Sequence, residues 1–208
     1  MLRLVTSIYA IACALALGGV WSISDRAVLA QAQVGDGAPL TTQEASRERH
    51  LAALRLKAQN RVAQDLIWYS ATELLDIEAQ YRSTRLAQTS LPDHNRRQIL
   101  EALATKYPRS NRAGCAVVEL AQMSAGDVRE QYLKKAIDEH ADAWFENGSQ
   151  VGPLAMALLA MHYAGFDRLP EAERLATELS ARYPGSVDST GASLDEVLPG
   201  LKFLRPPK

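Results

Sequence analysis

Apolar residues recur at spacings of three and four along most of the chain, and no segment alternates convincingly with the period of two that a strand needs. Leu51, Leu54, Ala58, Val62 and Leu66 form one stripe, which Thr41 opens with a capping box closed by Glu44. The pattern predicts a helix from Thr42 to about Trp68. Arg47, Arg49, Arg55, Lys57 and Arg61 lie mostly off the stripe, on a solvated face. At "YSATELL" the stripe changes face. Ser70 and Glu73 form a second capping box there, and Tyr69 and Leu74 take the staple positions. A helix therefore restarts near Ala71 and runs through Leu74, Leu75, Ile77 and Tyr81 to about Ala87. One continuous helix from Thr42 to Gln88 is the alternative.

Shorter helices follow at close spacing. One begins at Asp93 and ends at Pro108; another runs from about Asn111 to Met123, with Val117 and Leu120 inward. A third starts at Asp127 and places Tyr132, Leu133 and Ile137 on one side. "PLAMALLAMHYAG" starts with Pro153 in a first-turn position and stops at Gly165. The next starts near Pro170 and ends before Pro184, and "SLDEVL" carries a third capping box, Ser193 with Glu196. The fold class is all-α.

Self-similarity organises these helices. "LATKYPRS" (Leu103 to Ser110) matches "LSARYPGS" (Leu179 to Ser186) at an offset of 76 residues, and "KKAIDEHADA" fills the equivalent place between them, with His140 near the tyrosine position. The unit from Leu154 to Pro184 resembles the tetratricopeptide repeat. Met156, Leu159, Ala160 and Tyr163 fall on the family's positions in the first helix of the unit. Ala172, Ala176 and Leu179 do so in the second, and Pro184 closes it. Met156 and Ala176 stand where the family has aromatics, and Ala160 where it has glycine. The segment "NRAGCAVVELAQMS", followed by "YLKKAI" and "NGSQVGPLAMALLA", also resembles a group of exported bacterial repeat proteins of unassigned function.

The resemblance implies a right-handed superhelix of about three helical hairpins over residues 70–186. An extra N-terminal helix (41–69) precedes them, and a capping helix and tail (187–208) close them. Stacked hairpins bury a continuous core and leave a groove lined by the first helix of each unit. In the last unit that groove would carry Leu154, Ala157, Met161 and Ala164. By the resemblance, two units of about 34 residues and a few insertions make up the offset of 76.

Targeting comes from the N-terminus. Arg3 precedes an apolar run, Leu4 to Val20, and "VLAQAQ" supplies an A-x-A site at Ala30 and Ala32. Residues 1–32 read as a secretory signal peptide cleaved near Ala32, with an uncleaved anchor as the alternative. Either places the rest outside the cytoplasm, in the periplasm or beyond the cell. Cys13, preceded by "AIA" and followed by more apolar sequence, does not fit a lipid-attachment site. Residues 33–40 are a flexible lead-in. The mature chain would hold 21 basic and 23 acidic residues, a balance that gives no field for nucleic acid or anionic lipid.

Candidate chemistry is sparse. "WFENGSQVGP" (Trp144 to Pro153) has the glycines of a binding loop, but it lacks the Lys-Ser or Lys-Thr and the preceding strand of a phosphate loop. It reads as a structural turn, with an anion held on backbone N–H groups at the Pro153 helix start as the alternative. Asn147-Gly148-Ser149 is formally a glycosylation sequon, one that a bacterial-type context leaves unused. His50, His94, His140 and His162 are far apart and form no i, i+4 pair for zinc. Cys115 sits among small and apolar residues and reads as a buried, inert thiol. No catalytic residue, cofactor or metal is expected. The expected role is a non-catalytic scaffold holding a protein or peptide partner. The alternatives are self-assembly into a homo-oligomer through the N-terminal helix, and an enzyme or regulatory subunit acting at the Gly148–Pro153 turn or Cys115.

Overall fold

The computed structural model describes residues 41–86 and 93–194, and among them it is all-helical. Seven α-helices follow one another: α1 (Thr42–Gln64), α2 (Ala71–Leu86), α3 (Asp93–Lys106), α4 (Asn111–Gln122), α5 (Gly126–Glu139), α6 (Val151–Gly165) and α7 (Leu169–Arg182). The signal segment, the lead-in and Asp195 to Lys208 lie outside the described residues, and Glu196 of the third capping box with them. Two compact units divide the chain after Ala52, inside α1.

Both earlier capping boxes form. Thr41 N donates to Glu44 Oε2 at 2.8 Å, and Glu44 N returns to Thr41 Oγ1 at 3.3 Å. At Ser70 the same pair of bonds runs to and from Glu73 at 2.8 and 3.3 Å. Each box satisfies backbone donors that the first helical turn leaves open. The chain therefore breaks at Ser70, and the continuous helix is not formed. α1 is shorter than its stripe suggested. It ends at Gln64, and a 3-10 turn over Asp65–Ile67 carries Leu66 to the surface. Leu51, Leu54 and Ala58 are buried, whereas Leu75, expected inward, is exposed.

The second unit contains a succession of packed neighbours. Each helix from α3 to α7 packs on the next, α2 packs on α3, and α2, α4 and α6 also touch one another in order. Their apolar faces form one core that includes Tyr81, Leu100, Leu103, Val117, Leu120, Leu133, Met156, Leu159 and Leu179. α4 is an extreme case, with every residue from Asn111 to Ala121 buried. Burial of α4 takes its polar side chains Asn111, Arg112 and Glu119 out of water together with its apolar face.

The hairpins repeat at 40 residues, not 34, since α2, α4 and α6 begin at Ala71, Asn111 and Val151. The second helices α3, α5 and α7 each have 14 residues. Long connections follow the second and third hairpins, 140–150 and 183–193, and they share one hydrogen-bond pattern at a constant offset of 43 residues. Trp144 bridges Gln150 as Val187 bridges Ser193. Val151 N reaches Ala143 O at 2.8 Å as Leu194 N reaches Ser186 O at 2.9 Å. Tyr107, His140 and Tyr183 hold the same place after their helices, each N–H bonding the carbonyl four residues back, at 3.0, 3.2 and 2.8 Å. The sequence match across 76 residues is thus a match of structure.

Gly148 makes the first connection possible. Its φ is +93°, and a Cβ there would lie 3.0 Å from Leu54 Cβ and 3.2 Å from Arg55 N. Gly165, at the end of α6, has open space around it. Gly148→Ala is expected to lower unfolding free energy by roughly 2 kcal/mol, from strain and clash together. Gly165→Ala should instead be neutral or raise it by up to about 1 kcal/mol. Urea titration of both variants checks the contrast.

Candidate functional site

α6 places the four expected groove residues unevenly. Leu154, Ala157 and Ala164 are buried in the core, at 7%, 1% and 8% exposure, and Met161 alone reaches the surface at 37%. The expected line of four therefore does not form an open groove floor. α6 packs against both α5 and α7, so small side chains facing its neighbours are used for close approach. Phe166 lies beyond Met161 at the end of the helix, exposed, with the His162 ring 4.8 Å from its own.

The connection holding "WFENGSQVGP" is structural. Val151 N and Gly152 N are bonded to Ala143 O and Ala141 O, Leu154 N to Gln150 O, and Pro153 has no N–H. These donors of the α6 start are thereby taken, which removes the anion alternative. α6 also begins at Val151, two residues before Pro153. Gly152 lies so near the preceding chain that a Cβ would meet Ala141 O at 2.9 Å. Asn147 and Ser149 reach across to the second connection: Asn147 Nδ2 donates to Ser189 O at 2.8 Å and Ser149 Oγ to Val187 O at 3.0 Å.

The ionisable residues that do converge lie around α4. Helical periodicity had marked only Tyr81 among them, as a stripe position. It had put Arg61 on a solvated face, whereas the Arg61 side chain is largely covered and paired with Asp65. Asp65, almost fully buried, accepts from Asn111 N at 2.7 Å and from Arg61 Nη1 at 2.5 Å. A carboxylate distant in sequence thus meets the α4 N-terminus beside the local cap, Ser110. The Asn111 side chain exchanges two bonds with the Trp144 backbone, at 2.7 and 2.8 Å. Arg112 is 4% exposed. It grips Glu78 with two bonds, at 2.6 and 3.0 Å, and also bonds Glu146, with its guanidinium 4.7 Å above the Tyr81 ring. Further along α4, Tyr81 from α2 and Arg96 from α3 donate to the two oxygens of Glu119 at 2.6 and 2.7 Å.

In this network burial pushes the Asp65 carboxyl up, against the hydrogen bond from Asn111 N and the charge of Arg61. Burial pushes the Cys115 thiol up to about 12, against the opposing pull of Arg112. A thiol so protonated is a poor nucleophile at neutral pH. Burial, with Cys115 and Glu119 nearby, likewise pushes Tyr81 up. At the far end of the core Glu130 joins Lys134, Tyr163 and Arg168 at 2.7, 2.9 and 2.9 Å. The Lys134 bond leads the effects that hold its carboxyl down near about 2. Among the described residues, no three His, Cys, Asp or Glu side chains come together in a way that could hold a metal ion.

The most prominent unpaired chemistry in the second unit is apolar. Leu66, Ile67 and Trp68 are exposed at 37%, 72% and 55% on consecutive positions of the turn after α1. Trp68 is held in place, with the Arg109 guanidinium 4.3 Å above its ring. Beside it Arg109 N donates to Tyr69 OH at 3.1 Å, and the Tyr69 and Tyr107 rings meet edge to face at 5.5 Å. No family model matches the chain, and neither a curated protein nor a solved structure matches it at a significant level.

Two outcomes follow from the polar contacts. Arg112→Ala leaves Glu78 and Glu146 only their looser contacts with Arg82 and Arg85, each at 3.8 Å, and is expected to cost about 3 kcal/mol in urea unfolding. Burial lowers the His140 pKa, so the folded chain binds that proton less tightly than the unfolded chain. Its contribution is present above pH ~6.5 and is lost as the pH falls below that value. Melting curves recorded between about pH 7.5 and pH 5.5 should fall less steeply for His140→Gln than for the parent.

Proposed function

We propose that the chain is an exported, non-catalytic scaffold of stacked tetratricopeptide-like hairpins that binds a protein or peptide partner. The observation that carries this reading is the exposed Leu66–Ile67–Trp68 turn, backed by Tyr69, Tyr107 and Arg109. Trp, Tyr and Arg are the residue types that dominate binding energy in protein interfaces, and a ring already fixed by a neighbour loses little freedom on docking. On this reading the partner surface lies at the start of the hairpin series, where the sequence had suggested the α6 groove. Packing of α2, α4 and α6 on one another supports the stacked arrangement. Most interior polar groups, though not Arg96 Nε or Arg112 Nη1, are engaged in ion pairs and hydrogen bonds, which favours a structural role for them. Export rests on the signal-like segment 1–32 and gives an envelope assembly as the setting for the partner.

Affinity capture with the full chain, after cross-linking in an envelope fraction, tests the reading. Trp68→Ala and Ile67→Asp are expected to lose the captured partner by tenfold or more, on the order of 2 kcal/mol for an anchor residue. Met161→Glu should retain it. Loss with Met161→Glu alone returns the site to the end of α6. Capture that no variant disturbs refutes both surfaces. Recovery of the chain's own copies, with a matching mass in analytical ultracentrifugation, favours self-assembly.

A further inference from the structure

We propose that Asn147 is a site of spontaneous deamidation, held closed by docking of the 140–150 connection on the 183–193 connection. Asn147 is exposed and precedes Gly148, whose missing side chain leaves its backbone nitrogen unhindered. In an open chain such a pair reacts by itself. The Gly148 nitrogen attacks Asn147 Cγ, the new N–C bond closes a five-membered imide, and the Cγ–Nδ2 bond breaks. Nδ2 leaves as ammonia with the proton from the Gly148 amide, and water then opens the imide to aspartate or isoaspartate.

The fold restrains every atom in that step. Gly148 N–H is bonded to Phe145 O at 3.0 Å, so the nucleophile is turned into the loop. Asn147 Oδ1 accepts from Ser149 N at 3.0 Å, and Nδ2 donates to Ser189 O at 2.8 Å. Ser149, fully buried, adds its own bond to Val187 O at 3.0 Å. The receiving loop is in turn shaped by Asp188. Its Oδ1 accepts from Thr190 N and Oγ1, both at 2.7 Å, and from Ala192 N at 3.0 Å. Opening the clip frees Asn147 Nδ2 and leaves the Phe145–Gly148 turn, which holds the attacker, without its support from the second connection.

The reaction is also one-way for the structure. The product carboxylate has no N–H to give Ser189 O, so two acceptors would face each other where a hydrogen bond had been. Isoaspartate adds a backbone carbon beside Gly148, where a mere Cβ would already lie 3.0 Å from Leu54 Cβ. Modification at Asn147 therefore uncouples the two connections permanently, and the extent of it records how long they have spent apart.

Peptide mapping by mass spectrometry tests this, on the full chain incubated in mildly alkaline buffer with and without urea. The folded parent should convert Asn147 slowly and the urea-unfolded chain quickly. Ser149→Ala and Asp188→Ala each weaken the clip and should speed conversion roughly two- to tenfold in the folded chain, while all rates coincide in urea. Circular dichroism establishes that helix content is retained, and Ser149→Ala removes one hydrogen bond only. Equal rates for the folded and unfolded parent would overturn the proposal. So would an absence of conversion in urea, or helical variants that both react at the parental rate.

Discussion

The burial of α4 on all sides is the constraint from which most of the described structure follows. A helix with no solvent face cannot leave a polar side chain or a terminal N–H to water. α4 carries Asn111, Arg112 and Glu119 into that environment, and each must be met by a neighbour. Asp65 and Arg61 come from the end of α1, Glu78 and Tyr81 from α2, Arg96 from α3, and the Trp144 backbone and Glu146 from the connection before α6. These partners fix how the elements around α4 are placed. Apolar packing alone would tolerate sliding, whereas a two-bond Arg–Glu pair does not.

The connections extend the same logic along the series. The connection from one hairpin to the next, residues 140–150, is longer than a tight turn needs, and that chain would be a mobile loop if nothing held it. Here it forms a small bridge, its carbonyls accept from the first N–H groups of the next helix, and its side chains engage the following connection. The apolar side chains left outside this framework stand out because so little else is unpaired. Leu66, Ile67 and Trp68 sit on a turn whose backbone is anchored by Asp65, so their exposure belongs to a rigid element. A rigid exposed aromatic suits recognition better than chemistry.

What the sequence by itself determined was local. The capping boxes at Thr41 and Ser70, the breaks near Pro108 and Gly165, and the shared register of Tyr107, His140 and Tyr183 depend on residues within a few positions of one another. Short-range backbone chemistry is written in the sequence directly. Burial of the Cys115 thiol was legible from its small and apolar neighbours, but its basic neighbour, Arg112, three residues earlier on the same helix, was missed in the sequence.

Only the tertiary structure decided which surfaces are open and which polar residues meet. Leu154, Ala157 and Ala164 have the pattern of a groove, yet α5 and α7 approach closely enough to cover them. Leu66 continues a stripe but leaves it when the chain tightens into a 3-10 turn that lets Asp65 reach Asn111. Asp65 and Asn111 lie 46 residues apart, as Arg112 lies 34 from both Glu78 and Glu146. Nothing in helical periodicity links such positions, because it reports which face is apolar and not what is packed against it. The site was hidden for that physical reason: burial and pairing belong to the assembled neighbours, and the sequence of any one helix records only its own half.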